Sequence, residues 1–127
     1  EEALRRKRLA SLYFDQAGRE DTMALGIRDV VGWYGNAAVE ALAFGIPTIA
    51  HLSATAKHKA RLFGMNLPSP IIEVERNSGS ILSALISYSA LPESGKAELS
   101  VSSREFARLW HSYESVSRRL TDHLESL

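Results

Sequence analysis

Apolar residues in this chain fall into short blocks separated by polar, charged or glycine-containing stretches, and the spacing inside each block predicts an element. Glu1 to Leu9 has helical composition and dense charge. It runs into Ser11-Leu12-Tyr13-Phe14, an aromatic-rich stretch that reads as a strand ended by Asp15 and Gln16. Ala17 to Trp33 is polar and irregular, and connections of that length inside a compact domain are often functional. Next come a short helix from Ala37 to Phe44, apolar but for one carboxylate and therefore expected to be buried nearly all round, a turn at Gly45 and a buried strand from Ile46 to Ala50. Ser53 or Thr55 is placed to cap a helix through Phe63 that Gly64 closes, and Pro70 to Val74 supplies a third strand. A helix from Gly79 to Ala90 carries Ile81, Leu82, Leu85 and Ile86 on one face and stops before Pro92, after which a polar link is expected. Ser102 and Glu105 then have capping-box spacing. Phe106, Leu109, Tyr113, Val116, Leu120, Leu124 and Leu127 recur every three or four residues, which predicts one long amphipathic helix.

Three short apolar strands separated by helices, with each crossover long enough to return parallel, indicate an α/β fold: part of a doubly wound, Rossmann-like parallel sheet ending in that long helix. At 127 residues the chain forms a single domain spanning 1–127. The run from Val30 to Ala50 is long enough to cross a bilayer, but Glu40 sits in its middle, where a carboxylate costs roughly 2.5–3.5 kcal/mol. Gly35, Gly45 and Pro47 also divide it, so a membrane span is disfavoured.

Charge and composition narrow the functional classes. Fifteen Lys and Arg balance fifteen Asp and Glu, which argues against a protein built to neutralise nucleic-acid phosphates. The absence of Cys excludes a disulfide framework, a thiolate zinc site and a Cys nucleophile, and it fits a cytoplasmic setting. His111 and His123 lie twelve positions apart with no third ligand in the pattern, so no metal site is expected there. The chain opens on Glu-Glu without an initiator Met and shows no signal peptide, as expected for a processed product or a piece of a longer protein.

In an open parallel sheet, ligands bind beyond the carboxyl ends of the strands. The connection after the first strand ends there in Gly32-Trp33-Tyr34-Gly35-Asn36. Gly35 lets the backbone turn tightly, Asn36 is placed to cap the following helix, and the N–H groups of Asn36, Ala37 and Ala38 are expected to face the cleft, where a phosphate or diphosphate would be welcome. Glu40 is the only charged residue of that helix. It has two readings, a ribose diol donating to it or pairing with a local donor. Asp15, Trp33 and Tyr34 are further candidates for the cleft, and Asp15 can equally cap a loop. His51 follows the second strand and could act as an acid or base, or simply make a structural hydrogen bond. Lys57, His58, Lys59 and Arg61 form a basic cluster that could meet an anionic acceptor or a membrane surface, or be a solvated helix face.

The segment Gly32 to Ala50, GWYGNAAVEALAFGIPTIA, resembles the Gly…Glu-Ala…Ala…Gly…Pro signature in the C-terminal half of glycosyltransferases with the GT-B fold, particularly retaining enzymes of glycosyltransferase family four. Ser11 to Gln16 is similar to the strand before that signature, and Phe106 to Val116 to the family's closing helix. The resemblance implies a domain that holds the nucleotide part of a sugar donor for transfer of a hexose-type sugar. It assigns Glu40 to the donor ribose and Gly35, Asn36 and Ala37 to the diphosphate, and it requires no metal or other cofactor. It further implies a missing N-terminal domain that binds an acceptor, with the final helix crossing back toward it, so that the isolated piece is inactive and prone to self-association. Many members carry a second Glu eight positions before the ribose-binding one; here Gly32 stands there, as in a subgroup with Gly-Trp-Tyr-Gly. The Arg and Lys that neutralise the diphosphate in the family have no identifiable counterpart. The alternative is a non-catalytic α/β module that binds a small anion or nucleotide at the same helix start, or serves only as an interaction domain.

Overall fold

The computed structural model describes residues 2–15, 33–68 and 70–126. The polar connection expected from Ala17 to Trp33 lies outside the described residues up to Gly32. Three strands, β1 (Tyr13–Phe14), β2 (Thr48–Ala50) and β3 (Ile72–Glu73), form a parallel sheet in the order β1-β2-β3. Tyr13 is opposite Thr48 and Phe14 opposite Ile49; Ile49 is opposite Ile72 and Ala50 opposite Glu73. The ladder continues past the strand ends through Asp15 N–H to the Ile49 carbonyl (3.0 Å) and Val74 N–H to the Ala50 carbonyl (3.1 Å). All three residues of β2 are fully covered, which is why its sequence is a continuous apolar run rather than an alternating one.

Six helices accompany the sheet among the described residues: α1 (Glu2–Arg8), α2 (Asn36–Ala43), α3 (Ala54–Leu62), α4 (Ser78–Ser89), α5 (Glu93–His111) and α6 (Tyr113–Glu125). Ser53, not Thr55, caps α3, its hydroxyl accepting from Ala56 N–H at 3.1 Å. Asn77 caps α4 by accepting from Ser80 N–H at 2.8 Å. α2 and α3 close in the same way. Gly45 N–H donates to Leu42 and Ile46 N–H to Ala41, while Gly64 N–H donates to Arg61 and Met65 N–H to Ala60. Both glycines have φ +77°, the left-handed conformation this closure requires.

The C-terminal third differs from its sequence reading in two places. The expected polar link after Pro92 is helical, so α5 starts at Glu93 and the Ser102/Glu105 pair lies inside the helix instead of capping it. Packing explains this: α5 lies against α2 and buries Ser103, Phe106 and Ala107, and such burial outweighs the weak propensity of Gly95 and the serines. The amphipathic run is also divided. Ser112 takes an extended conformation (φ −69°, ψ 152°) and its hydroxyl accepts from Ser115 N–H at 3.2 Å, starting α6 as a separate helix. None of the residues of α6 is buried, and Tyr113, Val116, Leu120 and Leu124 are exposed.

One core joins the sheet to α2, α3 and α5. Ala38 and Leu42 of α2, Ala60 of α3 and Phe106 and Ala107 of α5 pack with Ala50, Leu52 and Tyr34. Among the described residues, no helix is long and apolar enough to cross a membrane.

Candidate functional site

Asp15, at the end of β1, and the start of α2 meet at the carboxyl edge of the sheet. Asp15 follows β1 directly, and its carboxylate accepts from Gly35 N–H at 2.7 Å. Gly35 is the N-cap of α2, with ordinary extended backbone angles (φ −89°, ψ 178°). A side-chain carbon placed there would meet the Asp15 oxygens at 3.6 Å, an ordinary contact, so neither backbone conformation nor space demands glycine at this position. Asn36 is the first helical residue rather than the cap. The Ala38 N–H, expected to face a ligand, is instead held by the Gly35 carbonyl at 3.0 Å. The N–H groups of Asn36 and Ala37 belong to the turn where a helix offers no internal acceptor, and they make no hydrogen bond within the described residues.

α2 is buried on one face only, through Ala38, Ala41 and Leu42, and not nearly all round. Glu40 lies on the exposed face, four residues after Asn36 and therefore above it. It has a local donor: Lys7 Nζ bonds its carboxylate and also reaches the Ala37 carbonyl at 3.3 Å. Lys7 additionally sits 5.5 Å from the centre of the Tyr13 ring. Sequence reasoning missed Lys7. It is one of several charges in Glu1 to Leu9, and only the packing of α1 near β1 and α2 singles it out.

Trp33 stacks on Tyr34 with ring centres 4.7 Å apart. Tyr34, expected at the cleft, is buried in the core, its hydroxyl 3.0 Å from His111 Nε2 and 3.4 Å from Met65 Sδ. Burial holds the Tyr34 hydroxyl well above the ordinary tyrosine range, with Arg119 opposing. Burial, aided by Arg119, pushes the His111 imidazole below its ordinary value. The folded state therefore favours neutral His111, while the unfolded chain takes up the proton more readily, so this contribution is complete above about pH 6.5 and is lost as the pH falls through the folded value. Urea unfolding from about pH 7 to 5 is expected to show a loss of stability that is smaller in His111→Gln.

The remaining candidates are dispersed. His51 Nδ1 is 2.9 Å from the Val74 carbonyl, a structural bond that ties the end of β2 to β3. Of the basic cluster, Lys57 pairs with Glu73 at 2.5 Å, whereas His58, Lys59 and Arg61 are exposed. Among the described residues, no group of three His, Asp or Glu is placed to hold a metal ion.

These features describe a small mixed α/β protein with a three-stranded parallel sheet and a long C-terminal helix. No family model, no curated protein and no solved structure matches the chain. The glycosyltransferase likeness therefore rests on the residues of the chain itself.

Proposed function

We propose that this chain is the donor-binding portion of a GT-B glycosyltransferase, holding a nucleoside-diphosphate sugar whose hexose-type sugar is transferred to an acceptor. The observation that carries the reading is the local geometry of residues Trp33 to Ala50. Two N–H groups with no hydrogen bond among the described residues, at Asn36 and Ala37, open α2 at the carboxyl edge of a parallel sheet, and Glu40 stands four residues, about 6 Å, beyond Asn36 on the same exposed face. That spacing suits a diphosphate on the helix start and a ribose diol on the carboxylate. As the glycosidic bond breaks, the leaving nucleoside diphosphate gains negative charge, and donors already aimed at it lower the barrier.

On this reading a second, N-terminal domain supplies the acceptor site, the enzyme works in the cytoplasm, and no metal is called for. The unburied apolar face of α6 suits packing against that domain, and in the isolated chain the same face favours self-association.

The Asp15–Gly35 and Lys7–Glu40 bonds favour a second reading, a non-catalytic module in which these groups only hold the fold. Asp15→Asn separates the two. The amide still accepts from Gly35 N–H, so stability is expected to fall by only about 1 kcal/mol, but the negative charge beside the diphosphate seat is removed. Affinity for UDP, GDP or ADP, whichever binds best, is expected to rise about tenfold in calorimetric titration. Unchanged or weaker binding would place the diphosphate elsewhere.

A further inference from the structure

α3 ends in two large apolar side chains that the fold leaves outside. Leu62, the last helical residue, is 72% exposed, and Phe63, the C-cap, is 74% exposed. Helix closure holds them there. Ala60 is the residue of α3 that enters the core, and Leu62 stands about 200° further round the helix, on the opposite side. Gly64 N–H donates to Arg61 and Met65 N–H to Ala60, and the left-handed turn at Gly64 returns the chain so that Met65, not Phe63, is buried.

The same end of α3 is cationic. Lys57 is held by Glu73, whereas Lys59 and Arg61 are exposed. Leu62 follows Lys59 by three positions and Phe63 follows it by four, the spacing that makes helical side chains neighbours. Arg61 flanks Leu62 on its other side, about 100° round the helix. Lone exposed leucines are ordinary on protein surfaces, but two adjoining apolar side chains rimmed by cations mark an interaction site.

Shape and charge select the occupant. The apolar pair projects from a helix end, so it suits a medium that yields around it, and the interfacial zone of a bilayer does so. Lysine and arginine lay their apolar stems along such a surface and keep their charges at the level of the lipid phosphates. A second copy of the chain is disfavoured, because pairing through this end brings the same cations against one another. We propose that the C-terminal end of α3 docks on an anionic lipid surface, with Leu62 and Phe63 entering the boundary between headgroups and acyl chains and Lys59 and Arg61 facing the lipid phosphates. Gly35, Asn36, Ala37 and Glu40 are not part of α3, so this surface is independent of the donor reading.

Flotation with lipid vesicles tests the proposal. The chain is expected to float with phosphatidylcholine vesicles containing about 30% phosphatidylglycerol, and to bind phosphatidylcholine alone about 25-fold more weakly, about fivefold for each of the two cations. Lys59→Ala with Arg61→Ala is expected to remove that 25-fold preference. Leu62→Ser with Phe63→Ser is expected to weaken binding to the anionic vesicles about tenfold or more. All four side chains are exposed, so the substitutions leave the fold intact, which circular dichroism checks. A chain that does not float with the anionic vesicles, or that floats equally with phosphatidylcholine alone, would overturn the proposal. Flotation that survives Leu62→Ser with Phe63→Ser also contradicts it, since charge alone then accounts for the binding. Binding to polyglutamate as tight as to the vesicles assigns the surface to an acidic protein instead, and self-association lost in the serine variant without any loss of flotation assigns it to a second copy; either result overturns the lipid assignment.

Discussion

Leu42→Ala is expected to lower the unfolding free energy by about 2–5 kcal/mol, the range for removing a fully buried leucine when its neighbours cannot collapse into the space. Leu42 is 0% exposed and packs in the cluster that includes Tyr34 and Phe106. α2 has eight residues, too few to be helical in water by themselves, so this packing is what holds the helix. Because domains of this size are stable by only about 5–15 kcal/mol, the variant loses a large part of its margin. Urea unfolding measures the effect. Leu120→Ala, on the exposed face of α6, serves as the control and is expected to change stability by less than about 0.5 kcal/mol.

Glu40→Gln is the second large effect, and its sign depends on what is measured. The fold should barely change. Half of the Glu40 side chain is exposed, so its pair with Lys7 is worth at most about 1 kcal/mol, and Lys7 keeps the Ala37 carbonyl and the Tyr13 ring. On the proposed donor reading, binding should change far more. A ribose diol donating to a carboxylate makes charge-assisted hydrogen bonds worth about 1.5–3 kcal/mol, and the neutral amide offers a single weaker acceptor. Donor affinity is therefore expected to fall about tenfold or more, read by titration calorimetry with the nucleotide that the unsubstituted chain prefers. An interaction module would keep its binding and lose at most a little stability.

The elements with strong local signals were legible in the sequence. Gly45 and Gly64 end α2 and α3 as the pattern predicts, and the continuous apolar run Ile46 to Ala50 carries the central strand. The parallel direction of the strands followed from crossover lengths. The start of α5 was not legible, because its first turns hold glycine and serine and become helical only through burial of Phe106 and Ala107 further along. The bend at Ser112 was hidden for the opposite reason. Hydrophobic spacing continues unbroken across it, and only the hydroxyl's bond to Ser115 N–H marks the new start.

At the candidate site, the sequence placed Asp15, Gly35, Asn36 and Glu40 near one another, since strand order and helix period determine those positions. It could not show that Asp15 bonds Gly35 or that Lys7 bonds Glu40, because those contacts span 20 and 33 residues and arise only on folding. Tyr34 was misplaced for a related reason. Its aromatic neighbour and the adjoining glycines read as a cleft, yet Phe106 and His111, far along the chain, draw it into the core.

We propose that the first turn of α2 receives a nucleoside diphosphate. Titrating the isotope-labelled chain with UDP, GDP and ADP while following the backbone amides of Gly35, Asn36, Ala37 and Glu40 tests it most directly. Saturable shifts are expected at these four positions with at least one of the nucleotides, largest at Asn36 and Ala37, whose N–H groups make no hydrogen bond among the described residues. Amides that stay in place up to millimolar ligand, or shifts confined to other parts of the chain, would contradict it.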